Sequence, residues 1–344
     1  MMNTKIFKID DNKIDAKSME EMGAIIRNGG LVAFPTETVY GLGADALNED
    51  AVKKIFAAKG RPGDNPLIVH FADVEDISEV CFVTDAAKLL FENFSPGPLT
   101  VILKKKECVG DSVTAGLDTV AVRIPSNNTA RAFIKAAKRP IAAPSANISG
   151  KPSPTTFKDV NEDMQGRIDA IIDGCDCEVG VESTVIDMTG ERPVILRPGG
   201  ITLGDIKKVI PEALVDKHVL EMVSAKETPK CPGMKYKHYA PNAEVYVVEG
   251  EKEARIEKIK ELIAENKDKC VGVFSLGYEY ETDVVLYAGE DNREYAKRLF
   301  RALREFDRMG ADIVFAEFAD DEGYGLAVKN RLYKSAANRI IKAM

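Results

Sequence analysis

The sequence predicts an α/β protein with two domains, a larger one built on a mixed sheet and a smaller one of βαβ type. Through the first 212 residues, short apolar strands alternate loosely with helices, and two strands sometimes follow each other directly. Residues 213–241 carry prolines and lysines without a strand or helix period, which is typical of a linker. The alternation then resumes. We therefore expect domains at 1–212 and 242–344, joined by a linker at 213–241.

The first domain opens with three well-marked elements. Residues 17–28 are predicted to form a helix that Gly29 and Gly30 end, and 31–34 a short buried strand. Asn48 can cap a helix over 50–59, and Gly60 follows it at the usual stop position. Further strands are expected at 66–71, 99–103, 119–124, 141–143, 168–173, 183–188 and 193–197, and further helices at 85–94, 128–138 and 203–210.

The second domain shows the same hydrophobic repeats of strands and helices in a shorter segment of the chain. Its predicted strands lie at 243–248, 270–274, 284–287 and 312–316. Its predicted helices lie at 251–266, 291–309 and 323–342. About a hundred residues with this alternation form a compact α/β domain.

Charge and composition exclude some classes of function. The chain has 344 residues, of which 45% are hydrophobic and 30% charged, with a net charge of −8. An acidic chain is a poor candidate for bulk electrostatic binding of nucleic acid, which depends on Lys and Arg. A local basic pocket is still compatible with this charge.

The compartment follows from the cysteines and the amino terminus. The first ten residues are polar and lack the apolar region of a signal peptide, and no apolar run is long enough to span a membrane. The six cysteines are scattered, so we expect reduced thiols in a cytoplasmic protein. For the one close pair, Cys175 and Cys177, two small turn residues are a better interpretation than a metal site, and no metal ligand is predicted.

Polar side chains are dense directly after the strand at 31–34. Thr36 and Thr38 offer hydroxyls, Glu37 a carboxylate and Tyr40 a ring with a polar tip. The glycines at 41 and 43 would let a ligand approach the backbone. A structural turn with a capping threonine is the alternative; the density of polar groups favours a ligand loop.

Two cations follow the helix at 50–59. Lys59 and Arg61, framed by glycines and prolines, are arranged like a phosphate clamp. The alternative is a helix carboxyl end, where the helix dipole favours cations anyway. The rigid frame favours the functional interpretation.

Other strand ends carry further candidate groups. His70 is either a satisfied core histidine or a substrate contact, and Arg123 pairs with a substrate carboxylate or with a neighbouring aspartate. Ser145 and Asn147 follow a buried strand, where a plain turn is equally compatible. Singly weaker candidates are Ser183, Arg197 and, in the linker, His238 among aromatic and cationic neighbours. The sequence contains neither G-x-x-x-x-G-K-[ST] nor G-x-G-x-x-G, so any phosphate would be bound by side-chain cations and strand-end loops.

These motifs together resemble the YrdC-like superfamily. The matching pieces are PTETVYGLG, Lys59-x-Arg61, Ser145-x-Asn147, the STV stretch at 183–185 and the LRPG stretch at 196–199, in order and spacing. PGMKYKHYAP followed by a small α/β domain resembles the two-domain form of that superfamily. The resemblance implies an open, twisted, mixed α/β sheet of YrdC-like fold, followed by a smaller Rossmann-like domain.

The resemblance also implies an activity. L-threonine, bicarbonate and ATP would give L-threonylcarbamoyl-AMP and pyrophosphate, with Mg²⁺ accompanying ATP, for threonylcarbamoyladenosine modification of tRNA. It implies Lys59 and Arg61 as catalytic cations that also bind the nucleotide, together with Ser145, Asn147, Arg197 and His238. Around threonine it implies Thr36, Tyr40, His70, Arg123 and Ser183. The linker would close over the site, and contact with tRNA or a tRNA-modification complex is a further implied partner.

Two other functions remain open from the sequence. A non-catalytic RNA-binding module would use the same cations, and salt-sensitive, ATP-independent RNA binding would identify it. A carbamoyltransferase of the same superfamily would act through a carbamoyl-adenylate. Such domains usually sit in longer chains with zinc-finger-like parts, which this sequence lacks.

Overall fold

The computed structural model describes residues 2–219, 230–231 and 239–344. They form two compact units. The first holds residues 2–149 and the described residues from Ser153 to Cys231, and the second holds Gly150–Pro152 and the residues from Tyr239 onward. Within the described ranges, no helix has the length and apolar character needed to cross a membrane.

The first unit contains the helices and strands expected of a mixed α/β domain. Its strands are β1 (Lys5–Lys8), β2 (Val32–Phe34), β3 (Gly41–Asp45), β4 (Ile68–His70), β5 (Leu99–Lys104), β6 (Thr119–Arg123), β7 (Ile141–Ala143), β8 (Ala170–Asp173), β9 (Thr184–Asp187), β10 (Val194–Arg197) and β11 (Leu214–Val215). Its helices are α1 (Ala16–Arg27), α2 (Glu49–Lys59), α3 (Asp85–Phe94), α4 (Asp111–Thr114), α5 (Asn128–Ala137), α6 (Phe157–Met164) and α7 (Leu203–Val209), with a 3₁₀ turn at Glu75–Glu79.

One sheet of eleven described strands runs through this unit in the order β1-β8-β2-β3-β7-β4-β6-β5-β9-β10-β11. The sheet contains both parallel and antiparallel pairs, which confirms the predicted mixed sheet. Apolar side chains cover both faces in two buried clusters. The sequence analysis missed β1, β3, β11, α4 and α6, which are short or lack a clear hydrophobic period.

The strand directions define two edges of the sheet. The end of β2, the start of β3 and the end of β7 lie at one edge. The ends of β4, β6 and β10 and the starts of β5 and β9 lie at the opposite edge. Because β2, β4 and β7 have only three residues each, the edges are roughly 10 Å apart there and long side chains reach from one toward the other.

Helix α2 places Lys59 at its carboxyl end. The Asn48 side chain accepts hydrogen bonds from the amides of Asp50 and Ala51, and Gly60 ends the helix in the left-handed region at φ 61°. The buried face of α2 includes Val52 and Ile55 in the core, and it continues to Lys59. The Lys59 ammonium is therefore carried into the protein interior.

Gly41 and Gly43 lie in strand β3 rather than in a loop, and core side chains fill the space that a side chain at either position would need. A Cβ on Gly43 would lie 2.8 Å from Cγ2 of Ile141, and one on Gly41 would lie 3.0 Å from the ring of Phe34. These glycines let neighbouring core side chains approach the strand.

Gly43→Ala is expected to lower the free energy of unfolding by about 1–3 kcal/mol, because its methyl group would overlap Ile141. The matched control is Gly190→Ala, where the nearest non-neighbouring atom would be 3.8 Å away. Urea unfolding of both variants tests this, and equal stability of the two would contradict the close-packing role.

In the described residues, the second unit consists of a parallel five-stranded sheet and three helices. Its strands are β12 (Glu244–Glu249), β13 (Val271–Ser275), β14 (Val284–Tyr287), β15 (Ile313–Phe318) and β16 (Ile340–Lys342), and its helices are α8 (Lys252–Glu265), α9 (Asn292–Arg308) and α10 (Gly325–Ser335). The strand order is β14-β13-β15-β12-β16. Every pairing recorded in this sheet is parallel, as in a Rossmann-like domain.

The predicted single helix at 323–342 is wrong. Helix α10 ends at Ser335, and Ala337 and Asn338 take positive φ angles of 48° and 61° that no α-helix can contain. The turn reverses the chain so that β16 pairs with β12. The run of helix-compatible residues concealed this stop.

Candidate active site

Lys59 is held by the loop that contains Ser145 and Asn147. Its Nζ donates hydrogen bonds to the carbonyl oxygens of Ser145 and Asn147, both at 2.5 Å, and to Oδ1 of Asn147 at 3.2 Å. Oγ of Ser145 also donates to Oδ1 of Asn147 at 2.5 Å. Three of the residues expected at the nucleotide thus form one cluster, in which Lys59 and Asn147 are buried and Ser145 is partly buried; we call it the lysine group.

Arg61 lies two residues beyond Lys59 but contacts its own loop. Its Nη2 donates to the carbonyl oxygens of Asn65 and Pro66, at 3.0 and 3.2 Å, and its guanidinium lies 5.9 Å from the ring centre of Phe56. Asn65 is buried, and neither side-chain atom of Asn65 makes a hydrogen bond within the described structure. A buried amide of this kind is an uncommon feature, and a ligand could satisfy it.

The segment from Thr36 to Tyr40 is folded on itself. Oγ1 of Thr36 donates to the carbonyl of Val39 at 2.6 Å and lies 2.9 Å from the hydroxyl of Thr38. The Tyr40 side chain is fully buried, and its hydroxyl donates to the Cys175 carbonyl at 3.3 Å. Burial raises the pKa of Tyr40 well above its usual value, so this hydroxyl stays protonated.

Glu37 and Arg123 form a buried ion pair that joins the two edges of the sheet. Oε1 of Glu37 lies 2.8 Å from Nη2 of Arg123, and the two side chains are only 6% and 4% exposed. Neither Glu37 oxygen meets hydrogen-bond geometry in the described structure, so the contact is an ion pair without an aligned hydrogen bond. Arg123 therefore pairs with an acidic residue of the protein, but with Glu37 rather than with the neighbouring aspartate that was the alternative to a substrate carboxylate.

His70 lies beside Arg123 in the pairing of β4 with β6. Its ring is buried, with Nδ1 3.1 Å from the Ile68 carbonyl and an edge-on contact to Phe34. Burial, followed by the Arg123 charge, lowers the pKa of His70 to about 3. His70 is therefore neutral at physiological pH and can offer a hydrogen bond but no charge.

This pKa predicts a loss of stability in acid. Since the unfolded histidine titrates near its ordinary pKa of about 6.5, the unfolded state binds more protons than the folded state between that pH and about 3. Stability contributed by neutral His70 is thus present above about pH 6.5 and is lost as the pH falls. Between pH 7 and pH 5, the free energy of unfolding of His70→Gln, measured in urea, should fall by about 2 kcal/mol less than that of the wild type. The same loss in both proteins would contradict the buried neutral ring.

Ser183 and Arg197 contact each other near Arg123. Nε of Arg197 donates to the Ser183 carbonyl at 3.1 Å, and Nη2 donates to its hydroxyl at 3.2 Å. The Ser183 hydroxyl lies 2.7 Å from that of Thr100, which is paired with Arg123 across β5 and β6. The members of this second cluster, the arginine group, are His70, Thr100, Arg123, Ser183 and Arg197.

The two groups are linked through the Thr36–Tyr40 segment. At one end its Glu37 reaches Arg123 of the arginine group. At the other end, the backbone carbonyl of Tyr40 accepts a hydrogen bond from the amide of Ala146, which lies inside the loop that binds Lys59. The hydrogen bonds from Arg61 to Asn65 and Pro66 lie within its own loop. His238 lies outside the described residues.

Sequence reasoning gave no role to Glu37, Thr100 or Asn65. Glu37 stands inside the PTETV motif, so its position was visible, but its partner is 86 positions away in the chain. Thr100 enters the site only through strand pairing. Asn65 is notable only for its burial, which no local pattern signals. Within the described residues, no group of three or more His, Cys, Asp or Glu side chains could hold a metal ion.

Family models match both parts of the chain. The model described as "Telomere recombination", for Sua5, YciO and YrdC, covers residues 24–199. The model described as "Threonylcarbamoyl-AMP synthase, C-terminal domain" covers residues 201–337.

The chain is also similar to characterised relatives over nearly its whole length. Proteins named threonylcarbamoyl-AMP synthase from Pyrococcus abyssi and Bacillus subtilis are 52% and 45% identical to it; the alignments cover 96% and 97% of this chain and 97% of each relative. The crystal structure of P. abyssi Sua5 complexed with L-threonine superposes with a TM-score of 0.96 at 50% identity, covering 99% of this chain and 100% of the other. Escherichia coli YciO matches 60% of this chain and 99% of its own, at 27% identity and a TM-score of 0.54. The chain belongs to the Sua5/YciO/YrdC family, in the form that carries a Sua5 C-terminal domain.

Proposed function

We propose that this protein converts L-threonine, bicarbonate and ATP into L-threonylcarbamoyl-AMP and pyrophosphate. The observation that carries the proposal is the match of nearly the whole chain, 96% and 97% of it, to two relatives named threonylcarbamoyl-AMP synthase. A structure of similar fold is described as complexed with L-threonine, which supports threonine as a substrate.

The two groups suit the two anionic substrates. The arginine group contributes two guanidinium groups, Arg123 and Arg197, beside the hydroxyls of Thr100 and Ser183. Guanidinium groups bind carboxylates and carbamates through paired hydrogen bonds, so we assign threonine to this group. The lysine group carries one ammonium and a loop of small polar residues, and we assign the ATP phosphates to it and to Arg61.

The reaction requires no covalent bond to the protein. The threonine amine attacks the carbon of CO₂ derived from bicarbonate and gives a carbamate after losing a proton. A carbamate oxygen then attacks the α-phosphorus of ATP, and the bond to the β-phosphate oxygen breaks as pyrophosphate leaves with the electron pair. Fixed cations and excluded water would lower this barrier by placing two anions together and offsetting their charge.

Lys59 has a structural part in this proposal as well as an electrostatic one. Its three hydrogen bonds fix the positions of Ser145 and Asn147, so that loss of the ammonium would release the loop. Its charge would attract the phosphates across the loop.

Magnesium is proposed as a companion of ATP rather than a resident metal. Mg²⁺ in nucleotide sites is commonly bound by substrate phosphates with one or two carboxylates. When bound, the ion would offset phosphate charge.

We also propose a cytoplasmic setting, where the six cysteines would remain as the free thiols seen here. The product would be handed to other proteins for tRNA modification, with contact to tRNA or to that complex. Closure of the linker, including His238, over the site is part of the same proposal.

The test is pyrophosphate release in reactions from which one substrate is omitted. Release should require threonine, bicarbonate and ATP together. Release without threonine, or with carbamoyl phosphate in place of threonine and bicarbonate, would contradict the proposal. Salt-sensitive RNA binding with no pyrophosphate release would favour the RNA-binding alternative.

A further inference from the structure

The second unit contains a cleft of its own at the carboxyl ends of its strands. The cleft has a volume of about 680 Å³ and is lined by residues that follow β12, β13, β14 and β15. A volume of this size accommodates a small metabolite. None of its lining residues belongs to the candidate active site.

The cleft lies at a topological switch point. From β12 the chain crosses β15 to reach β13, whereas from β15 it crosses β12 to reach β16 on the other side. The connections leaving the adjacent strands β12 and β15 therefore run in opposite directions. In open parallel sheets, the crevice at such a point is the usual ligand site.

A buried cation lies in this cleft. Arg255 is only 6% exposed and lines the cleft. Its Nη1 donates to the Gly250 carbonyl at 2.5 Å, and its Nε lies 3.6 Å from Oε1 of Glu317 without a hydrogen bond in the described structure. The other Glu317 oxygen accepts the Leu276 amide at 2.7 Å, which fixes that carboxylate. The guanidinium is thus held in place with hydrogen-bonding capacity left over.

The start of α8 adds further positive potential. Lys252 and Arg255 stand in its first turns and line the cleft, whereas Glu251 and Glu253 of the same stretch are not among the lining residues. The helix has no side-chain cap. The amino end of a 14-residue helix with two cations favours an anionic group such as a phosphate.

Carboxylates and an aromatic ring line the rest of the cleft. Asp291 and Asp320 already accept hydrogen bonds from backbone amides, whereas Glu290 and Glu322 are exposed at the rim. Carboxylates at the strand ends of such sheets bind ribose hydroxyls. Tyr278 offers a ring on which a base can stack.

We propose that this cleft is a second ligand site that binds a nucleoside monophosphate. The phosphate would lie at Lys252, Arg255 and the start of α8, the ribose near the rim carboxylates, and the base against Tyr278. The features of the cleft carry this proposal without the reaction assigned to the first unit, but a count of two AMP molecules per chain also rests on the nucleotide site proposed there.

The test counts AMP molecules bound to the full-length protein by equilibrium dialysis with labelled AMP. We expect two per chain in the wild type and one in Lys59→Ala, which disturbs only the first unit's site. Lys252→Glu, at an exposed position, should weaken the remaining site about tenfold or more. The matched control Lys267→Glu makes the same charge change away from the cleft and should leave it intact.

Hydrogen exchange on the wild-type chain gives a readout that needs no variant. AMP should slow exchange in peptides covering 251–256 and 289–294 about threefold or more. Ribose 5-phosphate should protect the same peptides more weakly, because it lacks the base. No protection there, a single AMP per chain that Lys59→Ala removes, or equal protection by inorganic phosphate and AMP would each overturn the proposal.

Discussion

Replacing Lys59 by alanine is expected to reduce threonine-dependent pyrophosphate release by about 10²-fold or more. The substitution removes the ammonium that binds two backbone carbonyls and the Asn147 amide, so the Ser145–Asn147 loop loses its anchor and the phosphates lose a cation. Three oxygen atoms would lose the hydrogen bond from Lys59, and the free energy of unfolding should fall by about 2–4 kcal/mol. Steady-state kinetics and urea unfolding measure the two effects.

The matched control is Lys54→Ala on the same helix. Nζ of Lys54 also donates to a backbone carbonyl, that of Gly29 at 2.6 Å, but Lys54 has no place in the lysine group. The Lys54→Ala variant should keep most of the wild-type activity. Wild-type turnover in Lys59→Ala, or an equal loss in both variants, would contradict the role of Lys59.

Replacing Arg123 by methionine is expected to have the largest effect on stability. It would leave the Glu37 carboxylate buried without its partner 2.8 Å away, and removing one member of a buried ion pair costs about 3–5 kcal/mol. Activity should fall as well, because the arginine group would lose one of its two guanidinium groups. Thermal or urea unfolding and pyrophosphate release together report both losses.

The double variant Glu37→Met/Arg123→Met separates structure from chemistry. Replacing both charges by apolar side chains is often neutral for stability, so the double variant should recover much of the stability that Arg123→Met loses. Its turnover should stay low, since no guanidinium is restored. Recovery of both stability and activity would show that Arg123 serves only to neutralise Glu37.

The fold was largely predictable because its long elements carry strong periods. Helices α1, α2, α3, α5 and α9 lie within a residue or two of their predicted limits. The errors have physical causes. Strand β3 is glycine-rich, and only the close approach of Phe34 and Ile141 explains that composition. The end of α10 depends on two non-glycine residues with positive φ, which no sequence pattern marks.

The site was predictable in its residue types and less so in its connections. Motif spacing identified Lys59, Ser145 and Asn147 as site residues, and in the structure Lys59 donates hydrogen bonds to both of the others. The Glu37–Arg123 pair and the Thr100–Ser183 contact depend on strand order across the sheet. Strand order is a property of the whole chain, so local patterns did not reveal which polar side chain meets which.

The most direct test of the proposed function is mass spectrometry of the product formed from L-threonine, ATP and ¹³C-labelled bicarbonate. We predict a compound with the mass of L-threonylcarbamoyl-AMP, heavier by one neutron than its unlabelled form, in amounts equal to the pyrophosphate released. Nucleotide turnover that gives no labelled adenylate, or a labelled adenylate without threonine, would contradict it.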